Sequence, residues 1–218
     1  MERPWEHPDW YDLHDTAFTA GSEREPEHYR ELLLALPPLG QADHLADIGA
    51  GTGKLSHLIA RGYPELGRVT LIEPNEVKLR RARSRLAEAL PRARIDPLSL
   101  PAGHGRLPPS HDATIAVFGS VLMPALEFGA LSYADGMAWV DRALTEAVAL
   151  LQPGGWVYDL ETLAGAFANP ADDGKARRLF LLELIEAFQR AGLSEVECLY
   201  RFRDRAIVRG RKQRSDSM

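Results

Sequence analysis

Three glycines at alternate positions, Gly49, Gly51 and Gly53, are the residues whose type and spacing point most directly to ligand chemistry. They follow residues 44–48, for which a short buried strand is predicted, and precede the stretch 54–61, in which leucine and isoleucine recur at helical spacing. Glycine has no Cβ, so its backbone can adopt positive φ and lie directly against a ligand. The helix after such a turn offers unpaired N–H groups and the positive end of its dipole. We therefore expect a strand, a glycine turn and a helix that together bind a nucleoside-bearing ligand with a carboxylate or a phosphate.

The spacing of these glycines separates the turn from two better-known phosphate-binding loops. The dinucleotide fingerprint is G-x-G-x-x-G, but here the third glycine comes one residue early, at Gly53, and Lys54 stands where the fingerprint has glycine. A P-loop is excluded because no G-K-[ST] follows four spacer residues. A tight turn required only for packing is the alternative interpretation.

Two acidic residues accompany the turn. Asp47 lies inside the strand that leads into it, and Glu73 ends the next predicted strand, 67–73. An acid at the end of the second strand of a βαβ unit can accept hydrogen bonds from both ribose hydroxyls, because a carboxylate offers two acceptor oxygens. A helix N-terminal charge that complements the dipole is the structural alternative for Glu73.

The rest of the sequence predicts alternating helices and strands, which indicates an α/β fold with a largely parallel sheet. Further helices are expected at 13–20, 26–36, 75–90, 133–151 and 176–191. Further strands are expected at 93–96, 112–118 and 156–160, followed by an antiparallel hairpin of 195–201 and 205–209.

Composition narrows the class of protein. The chain has 218 residues, 45% of them hydrophobic, which is enough for one α/β domain with additions. Its net charge of −5 gives no general reason to expect nucleic acid. Cys198 is the only cysteine, so no intramolecular disulfide can form, which suits a reducing compartment. No apolar run is long enough to span a membrane, and the N-terminus lacks a signal-peptide pattern, so we expect a cytoplasmic protein.

The segment Asp47-Ile48-Gly49-Ala50-Gly51-Thr52-Gly53 resembles motif I of the class I S-adenosylmethionine-dependent methyltransferases. LLQPGGWVYDLE resembles the LkPGG-strand segment of that family, and GLSEVECLYRFRDRAIVRGRK its closing strands. The resemblance covers residues 45–211 in order. It implies a mostly parallel, doubly wound seven-stranded sheet of order 3-2-1-4-5-7-6 with the last strand antiparallel. It also implies a helical cap at 1–40, a cofactor-binding domain at 41–212 and a disordered tail at 213–218.

The cofactor that the resemblance implies is S-adenosylmethionine. Glu73 matches the family's ribose-binding acid, and Asp96 matches an acid that often holds the adenine amino group, although a turn-initiating Asp-Pro pair is the alternative. The residues expected to bind the cofactor are Tyr11, Asp47, Gly49, Ala50, Gly51, Gly53, Glu73, Pro74, Asp96, Pro97, Leu98, Phe118 and Gly119.

Methyl transfer to a small-molecule oxygen or nitrogen is the expected reaction, driven mainly by positioning of donor and acceptor. His14 is the first candidate for a general base and His104 the second. An apolar acceptor pocket is expected from side chains for which core packing is the alternative, namely Met123, Phe128, Tyr133 and Met137. No catalytic metal is expected, because only Asp159 and Glu161 supply carboxylates near the ends of the fourth and fifth strands.

The remaining inferences concern hydrolytic activity, partners and alternative functions. The pairs Ser56-His57 and Ser110-His111 have no recognisable triad context, so a hydrolase is not indicated. The expected partner is a small-molecule substrate, with no nucleic acid and no membrane, and a homodimer is left open. The alternatives to a methyltransferase are a binding or scaffold module without turnover and an S-adenosylmethionine-dependent enzyme that does not methylate.

Overall fold

The computed structural model of the chain describes residues 27–119, 121–122, 132–164, 178–202 and 204–214. The helices in this part of the chain are α1 (Glu27–Ala35), α2 (Lys54–Gly62), α3 (Glu76–Ala89), α4 (Tyr133–Leu150) and α5 (Leu181–Arg190). The strands are β1 (His44–Ile48), β2 (Arg68–Ile72), β3 (Arg94–Leu98), β4 (Ala113–Gly119), β5 (Leu151–Thr162), β6 (Leu193–Phe202) and β7 (Arg205–Lys212).

The seven strands form one sheet in the order β3-β2-β1-β4-β5-β7-β6. The first five strands of this order run parallel, whereas β7 pairs antiparallel with both β5 and β6. The expected fold class, strand order and antiparallel last strand are therefore confirmed. Every residue of β1 is buried, as a central parallel strand covered on both faces requires.

Two hydrophobic clusters cover the two faces of the sheet. One face packs on α1, α2 and α3 through Leu32, Ile59 and Leu86. The other packs on α4 and α5 through Leu144 and Phe188. Because helices cover both faces, ligands can reach the sheet only at its ends, and in open α/β sheets they bind beyond the carboxyl ends of the strands. In the described residues no helix is both long and apolar enough to cross a membrane.

One boundary difference that bears on function concerns β3. The sequence predicts a strand that stops at Asp96, but the observed strand continues to Leu98 and includes Pro97. β3 lies at the end of the sheet and pairs only with β2 in the strand order. A proline is tolerated in an edge strand, since it has no N–H to donate to a ladder.

Candidate functional site

The glycine turn joins β1 to α2 at the carboxyl edge of the sheet, which we define as the end at which the parallel strands finish. Gly49, Gly51 and Gly53 all have positive φ, at 74°, 54° and 78°. The N–H groups of Gly49 and Ala50 both donate to the carbonyl of Ile72, at 2.8 and 3.0 Å. The end of β2 therefore holds the first half of the turn in place.

The three glycines face different surroundings. A Cβ on Gly49 would collide with Val121, and a Cβ on Gly53 would lie 2.8 Å from the Cα and Cβ of Ala82 on α3. At Gly51, by contrast, the nearest described atom to such a Cβ is the carbonyl oxygen of Gly49, at 4.0 Å. Gly49 and Gly53 are thus required by packing, whereas the described residues leave room for a ligand beside Gly51.

Glu73 follows β2 directly and is buried beside the turn, with 7% of its surface exposed. The N–H of Gly51 donates to its Oε2 at 3.0 Å, and the N–H of Asn75 donates to its Oε1 at 3.0 Å. The N–H of Glu73 in turn donates to the carbonyl of Leu98 at 3.1 Å. A carboxylate has about four acceptor positions, so these two backbone donors leave capacity for the hydroxyls of a ligand. Glu73 is therefore fixed in orientation beside the bare backbone of Gly51.

Asp47 lies fully buried behind the turn, where it accepts a hydrogen bond from the hydroxyl of Ser56 on α2. The pKa of Asp47 is raised to about 7, mainly by burial and to a smaller extent by the Glu73 carboxylate, while the Ser56 hydroxyl opposes the shift. The side chain thus supports the turn from inside the protein and lies away from solvent.

The structure places Asp96 away from this edge. In the ladder of β2 and β3, Asp96 pairs with Thr70 and Leu98 with Ile72, so Asp96 lies two residues before the end of β3. Its carboxylate accepts hydrogen bonds from Arg68 and Arg94, each at 2.8 Å, and these come from the opposite end of the sheet. The expected contact of Asp96 with an adenine amino group does not fit this position.

Leu98 and Ser99 lie at the end of β3 at the carboxyl edge, where the sequence analysis expected Asp96. Leu98 ends β3, half-buried, while Pro97 is exposed within the strand. The hydroxyl of Ser99 donates to the carbonyl of Pro74 at 3.4 Å, which ties the end of β3 to the residue after Glu73. Ser99 was not among the predicted residues, because the predicted strand ended at Asp96.

The end of β4 completes the edge. Phe118 is level with Ile48 of β1, but its side chain is fully buried in the core. A Cβ on Gly119 would lie 3.1 Å from Leu55 in the first turn of α2, so the end of β4 lies close beside the start of that helix. The backbone of Gly119 therefore lies close to the glycine turn, whereas the Phe118 side chain packs in the core.

Several expected site residues lie outside the described part of the chain, namely Tyr11, His14, Ser120, Met123 and Phe128. Of the remaining pocket candidates, the Tyr133 hydroxyl donates to Glu183 at 2.5 Å and Met137 packs on the core. His104 is exposed in the loop before β4. Within the described residues, no three His, Cys, Asp or Glu side chains are grouped to hold a metal ion.

Solved structures with the same fold include the S-adenosylmethionine-dependent methyltransferase SibL, with a TM-score of 0.66 and 17% identity over 94% of this chain and 59% of SibL. The [4+2]-cyclase SpnF matches with a TM-score of 0.65 and 18% identity over 95% of this chain and 93% of SpnF. Human N-acetylserotonin methyltransferase, in complex with SAM, matches with a TM-score of 0.61 and 18% identity over 86% of this chain and 52% of the human one. This chain thus spans little more than half of two of these proteins.

No family model and no curated protein matches the sequence. The likeness to solved structures, at identities below one fifth in these three cases, concerns the fold. The resemblance seen in motif I and the closing strands is confirmed at that level. The chain has the fold of the class I S-adenosylmethionine-dependent methyltransferases.

Proposed function

We propose that the protein binds S-adenosylmethionine at the glycine turn and transfers its methyl group to an oxygen or nitrogen of a small molecule. The observation that supports this most directly is the pairing of Gly51 with Glu73. An open, side-chain-free backbone at Gly51 lies within hydrogen-bond distance of a carboxylate fixed by two backbone donors. A ribose with two adjacent hydroxyls suits the remaining acceptor positions of Glu73.

The residues of the turn would each contribute to holding this ligand. Gly49 and Gly53 keep the turn tight against Val121 and Ala82, Glu73 would accept the ribose hydroxyls, and Gly51 would let the ligand approach the backbone. Leu98 and Ser99 lie at the end of β3, beside Pro74, where a base attached to that ribose would extend. We therefore assign the adenine end of the ligand to this segment instead of to Asp96.

S-adenosylmethionine, when bound, supplies a methyl group that its sulfonium has already activated. The chain then needs mainly to hold the acceptor atom in line with that methyl group and to exclude water. The N-terminal cap at 1–40, with Tyr11 near the cofactor and His14 as general base, is proposed for this task on the sequence alone.

Isothermal titration calorimetry with S-adenosylmethionine and S-adenosylhomocysteine tests the proposal. Glu73→Ala removes the carboxylate that would accept two hydroxyls, and hydrogen bonds to a charged group contribute about 1.5–3 kcal/mol each. We expect affinity for both ligands to fall by at least about 100-fold. Glu76→Ala is the matched control, because Glu76 is an exposed acid three residues further on whose side chain pairs only loosely with Arg80, at 3.8 Å. Unchanged affinity in Glu73→Ala, or an equal loss in Glu76→Ala, would contradict the proposal.

The likeness to SpnF favours a second candidate, in which the same site binds S-adenosylmethionine without methylating. SpnF is a [4+2]-cyclase of nearly the same length, which shows that this fold also serves a reaction other than methyl transfer. Mass spectrometry of products separates the two candidates, because only a methyltransferase yields an acceptor that has gained a methyl group together with S-adenosylhomocysteine.

A further inference from the structure

Asp159 on β5 is a fully buried acid with no hydrogen-bond partner in the described residues for either carboxylate oxygen. In the sheet it lies between Phe118 of β4 and Val208 of β7, both of them fully buried and apolar. An apolar side chain would fill this position without loss. Burial of an unpaired carboxylate strongly disfavours the folded state, so an acid here indicates a function other than packing.

Glu161 adds a second acid to the same face of β5. Side chains two residues apart on a strand point to the same side of the sheet, and Glu161 is only 1% exposed. Its Oε1 accepts a hydrogen bond from the N–H of Thr162 at 2.8 Å. Burial raises the pKa of Asp159 well above its ordinary value, and the Glu161 carboxylate raises it further. We call these two residues the β5 acid pair.

No described arginine donates a hydrogen bond to Asp159. Arg205 donates to the hydroxyl of Thr162, and Arg178 pairs with Asp204 at 3.3 Å. Thus two buried carboxylates lie close together on one strand, and no cation among the described residues contacts Asp159. A positively charged group with N–H donors would satisfy both its charge and its open acceptor positions.

The place of the pair in the sheet relates it to the glycine turn. Ile48 of β1 is level with Phe118 of β4, and Phe118 is level with Asp159 of β5. Adjacent strands are about 4.8 Å apart, so the β5 acid pair lies roughly 10 Å along the carboxyl edge from the start of the turn. If the donor is held at the turn beside β4, the acid pair is one strand further on, where an acceptor would lie.

We propose that the β5 acid pair recognises the acceptor, and that this acceptor is a small molecule with a basic nitrogen at or beside the methylated atom. The inference rests on the proposed function and specifies its substrate class. A hydroxyl acceptor would bring no positive charge to Asp159, whose two buried oxygens have no hydrogen-bond partner in the described residues, which is why this site favours a nitrogen.

The proton and electron balance of the step is simple. The acceptor ammonium gives a proton to the carboxylate of Asp159 and becomes a neutral amine. The nitrogen lone pair then forms a bond to the methyl carbon while the carbon–sulfur bond breaks and leaves its electron pair on sulfur. For such an amine Asp159, in place of His14, would act as the general base, and Glu161 would strengthen its affinity for the proton.

The test compares matched small amines and alcohols, for example 2-phenylethylamine and 2-phenylethanol within a panel of such pairs, as acceptors with S-adenosylmethionine. Asp159→Asn and Glu161→Gln are the variants, and Asp141→Asn is the control, because Asp141 forms an ion pair with Arg190 on the outer surface. We expect methyl gain by mass spectrometry only in amine members. We also expect Asp159→Asn to lower kcat/KM by at least about 100-fold, the scale of general-base catalysis, with unchanged affinity for S-adenosylmethionine.

Thermal unfolding supplies the readout that does not depend on turnover. The S-adenosylhomocysteine complex of the unaltered protein should be stabilised by an amine of the panel, and that of Asp159→Asn should not. Asp159→Asn alone should unfold at the same or a higher temperature, because it removes the burial of a partnerless acid. A lower unfolding temperature would mean that a cation of the chain itself pairs with Asp159, and would overturn the inference.

The remaining outcomes are equally decisive. Methylation of alcohols alone, an unaffected Asp159→Asn, or the absence of any amine that is methylated or stabilising would each overturn the assignment of the acid pair while leaving donor binding intact. Loss of donor affinity in Asp159→Asn would place the residue at the donor instead and overturn it too. If the unaltered protein fails to bind S-adenosylmethionine, the proposed function itself fails, and this inference with it.

Discussion

The two ends of the sheet both carry acids and polar groups, and they differ in how these groups are satisfied. At the amino edge, where the parallel strands begin, His44 contacts Asp112 at 3.1 Å and Thr70 at 2.8 Å. Arg68 bridges Asp112 and Asp96. At the carboxyl edge Glu73 accepts hydrogen bonds from two backbone N–H groups, and Asp159 accepts none from any described group. A self-satisfied network indicates a structural role, and unsatisfied groups indicate a ligand.

The amino edge shows why residue types alone mislead. Thr70, His44 and Asp112 are linked hydroxyl to imidazole to carboxylate, the order found in a hydrolytic triad. The hydroxyl of Thr70 is buried, however, and the cluster lies at the opposite end of the sheet from the glycine turn. Geometry therefore assigns this trio to the fold, in contrast to the glycine turn at Gly51, where the described residues leave room for a ligand.

The largest predicted effect is a difference in stability between alanine substitutions at two glycines of the same turn. Gly53→Ala would place a Cβ 2.8 Å from backbone and side-chain atoms of Ala82 at a φ of 78°, so we expect the free energy of unfolding to fall by about 2–5 kcal/mol. Gly51→Ala meets no described atom within 4.0 Å and should cost only about 1–2 kcal/mol from its positive φ. Urea unfolding measures both.

Ligand affinity should not follow stability in these two variants. Gly51→Ala, the more stable of the two, should lose affinity for the ligand. Gly51→Ala fills the space that we assign to the ligand, so calorimetry should show a much weaker interaction with S-adenosylmethionine while the protein stays folded. Equal losses of stability in the two variants, or normal ligand affinity in Gly51→Ala, would contradict the view that Gly51 faces a ligand and Gly53 faces α3.

The second prediction concerns the pH dependence of stability at the carboxyl edge. The folded-state pKa of Asp47 is about 7, against an ordinary value of 3.8. Between these two pH values the folded state therefore binds a proton at Asp47 that the unfolded state has lost. Stability from this group is therefore complete below about pH 4 and falls as pH rises toward 7. Asp47→Asn removes the titrating group and keeps its shape. Between pH 5 and pH 8 the unaltered protein should lose roughly 3 kcal/mol more stability than Asp47→Asn.

The pH dependence of stability that His44 contributes at the amino edge has the opposite sign to that of Asp47, so it serves as an internal comparison. Burial lowers the pKa of His44, the Arg68 guanidinium acts in the same direction, and Asp112 opposes them. A base with a lowered folded-state pKa makes stability rise with pH up to its ordinary value near 6.5. Urea unfolding at several pH values should therefore show a steeper rise toward neutral pH in Asp47→Asn than in the unaltered protein. Identical profiles would refute the assignment of the raised pKa to Asp47.

The turn, Glu73 and the strand order could be predicted because each depends on local pattern. A short apolar strand, alternating glycines and a strand-ending acid are contiguous in sequence, and their contacts follow from the parallel pairing of β1 and β2. Asp96 illustrates the limit of that approach. Pro97 looks like the end of a strand, but an edge strand tolerates it, and the end moves to Leu98.

Asp159 illustrates a second limit. The sequence shows an acid in an apolar strand, but whether it has a partner depends on residues from β4, β7 and the helices above them, which are far away in the chain. Ion pairing at the amino edge is equally non-local, since Arg68 joins acids of β3 and of the segment just before β4. These charged residues can be identified in the sequence, but only the tertiary structure shows which of them have a hydrogen-bonding or ionic partner.

The smallest predicted effect tests whether the amino edge is independent of the ligand site. Arg68→Met removes the guanidinium that bridges Asp96 and Asp112 and keeps the aliphatic stem. Because the group is partly exposed, we expect the free energy of unfolding to fall by about 1 kcal/mol, or about 2–4 °C in Tm for a protein of this size. Arg80→Met, which breaks only an exposed pair with Glu76, should change Tm much less.

Two further measurements on Arg68→Met decide the question of independence. The pKa of His44, followed by NMR, should rise, because one of the causes that lower it has been removed. Affinity for S-adenosylmethionine should stay unchanged, because the guanidinium lies at the other end of β2 from Glu73. If Arg68→Met weakened that affinity as much as Glu73→Ala does, the two edges would be energetically coupled, and satisfied and unsatisfied groups could no longer be assigned separately to fold and to ligand.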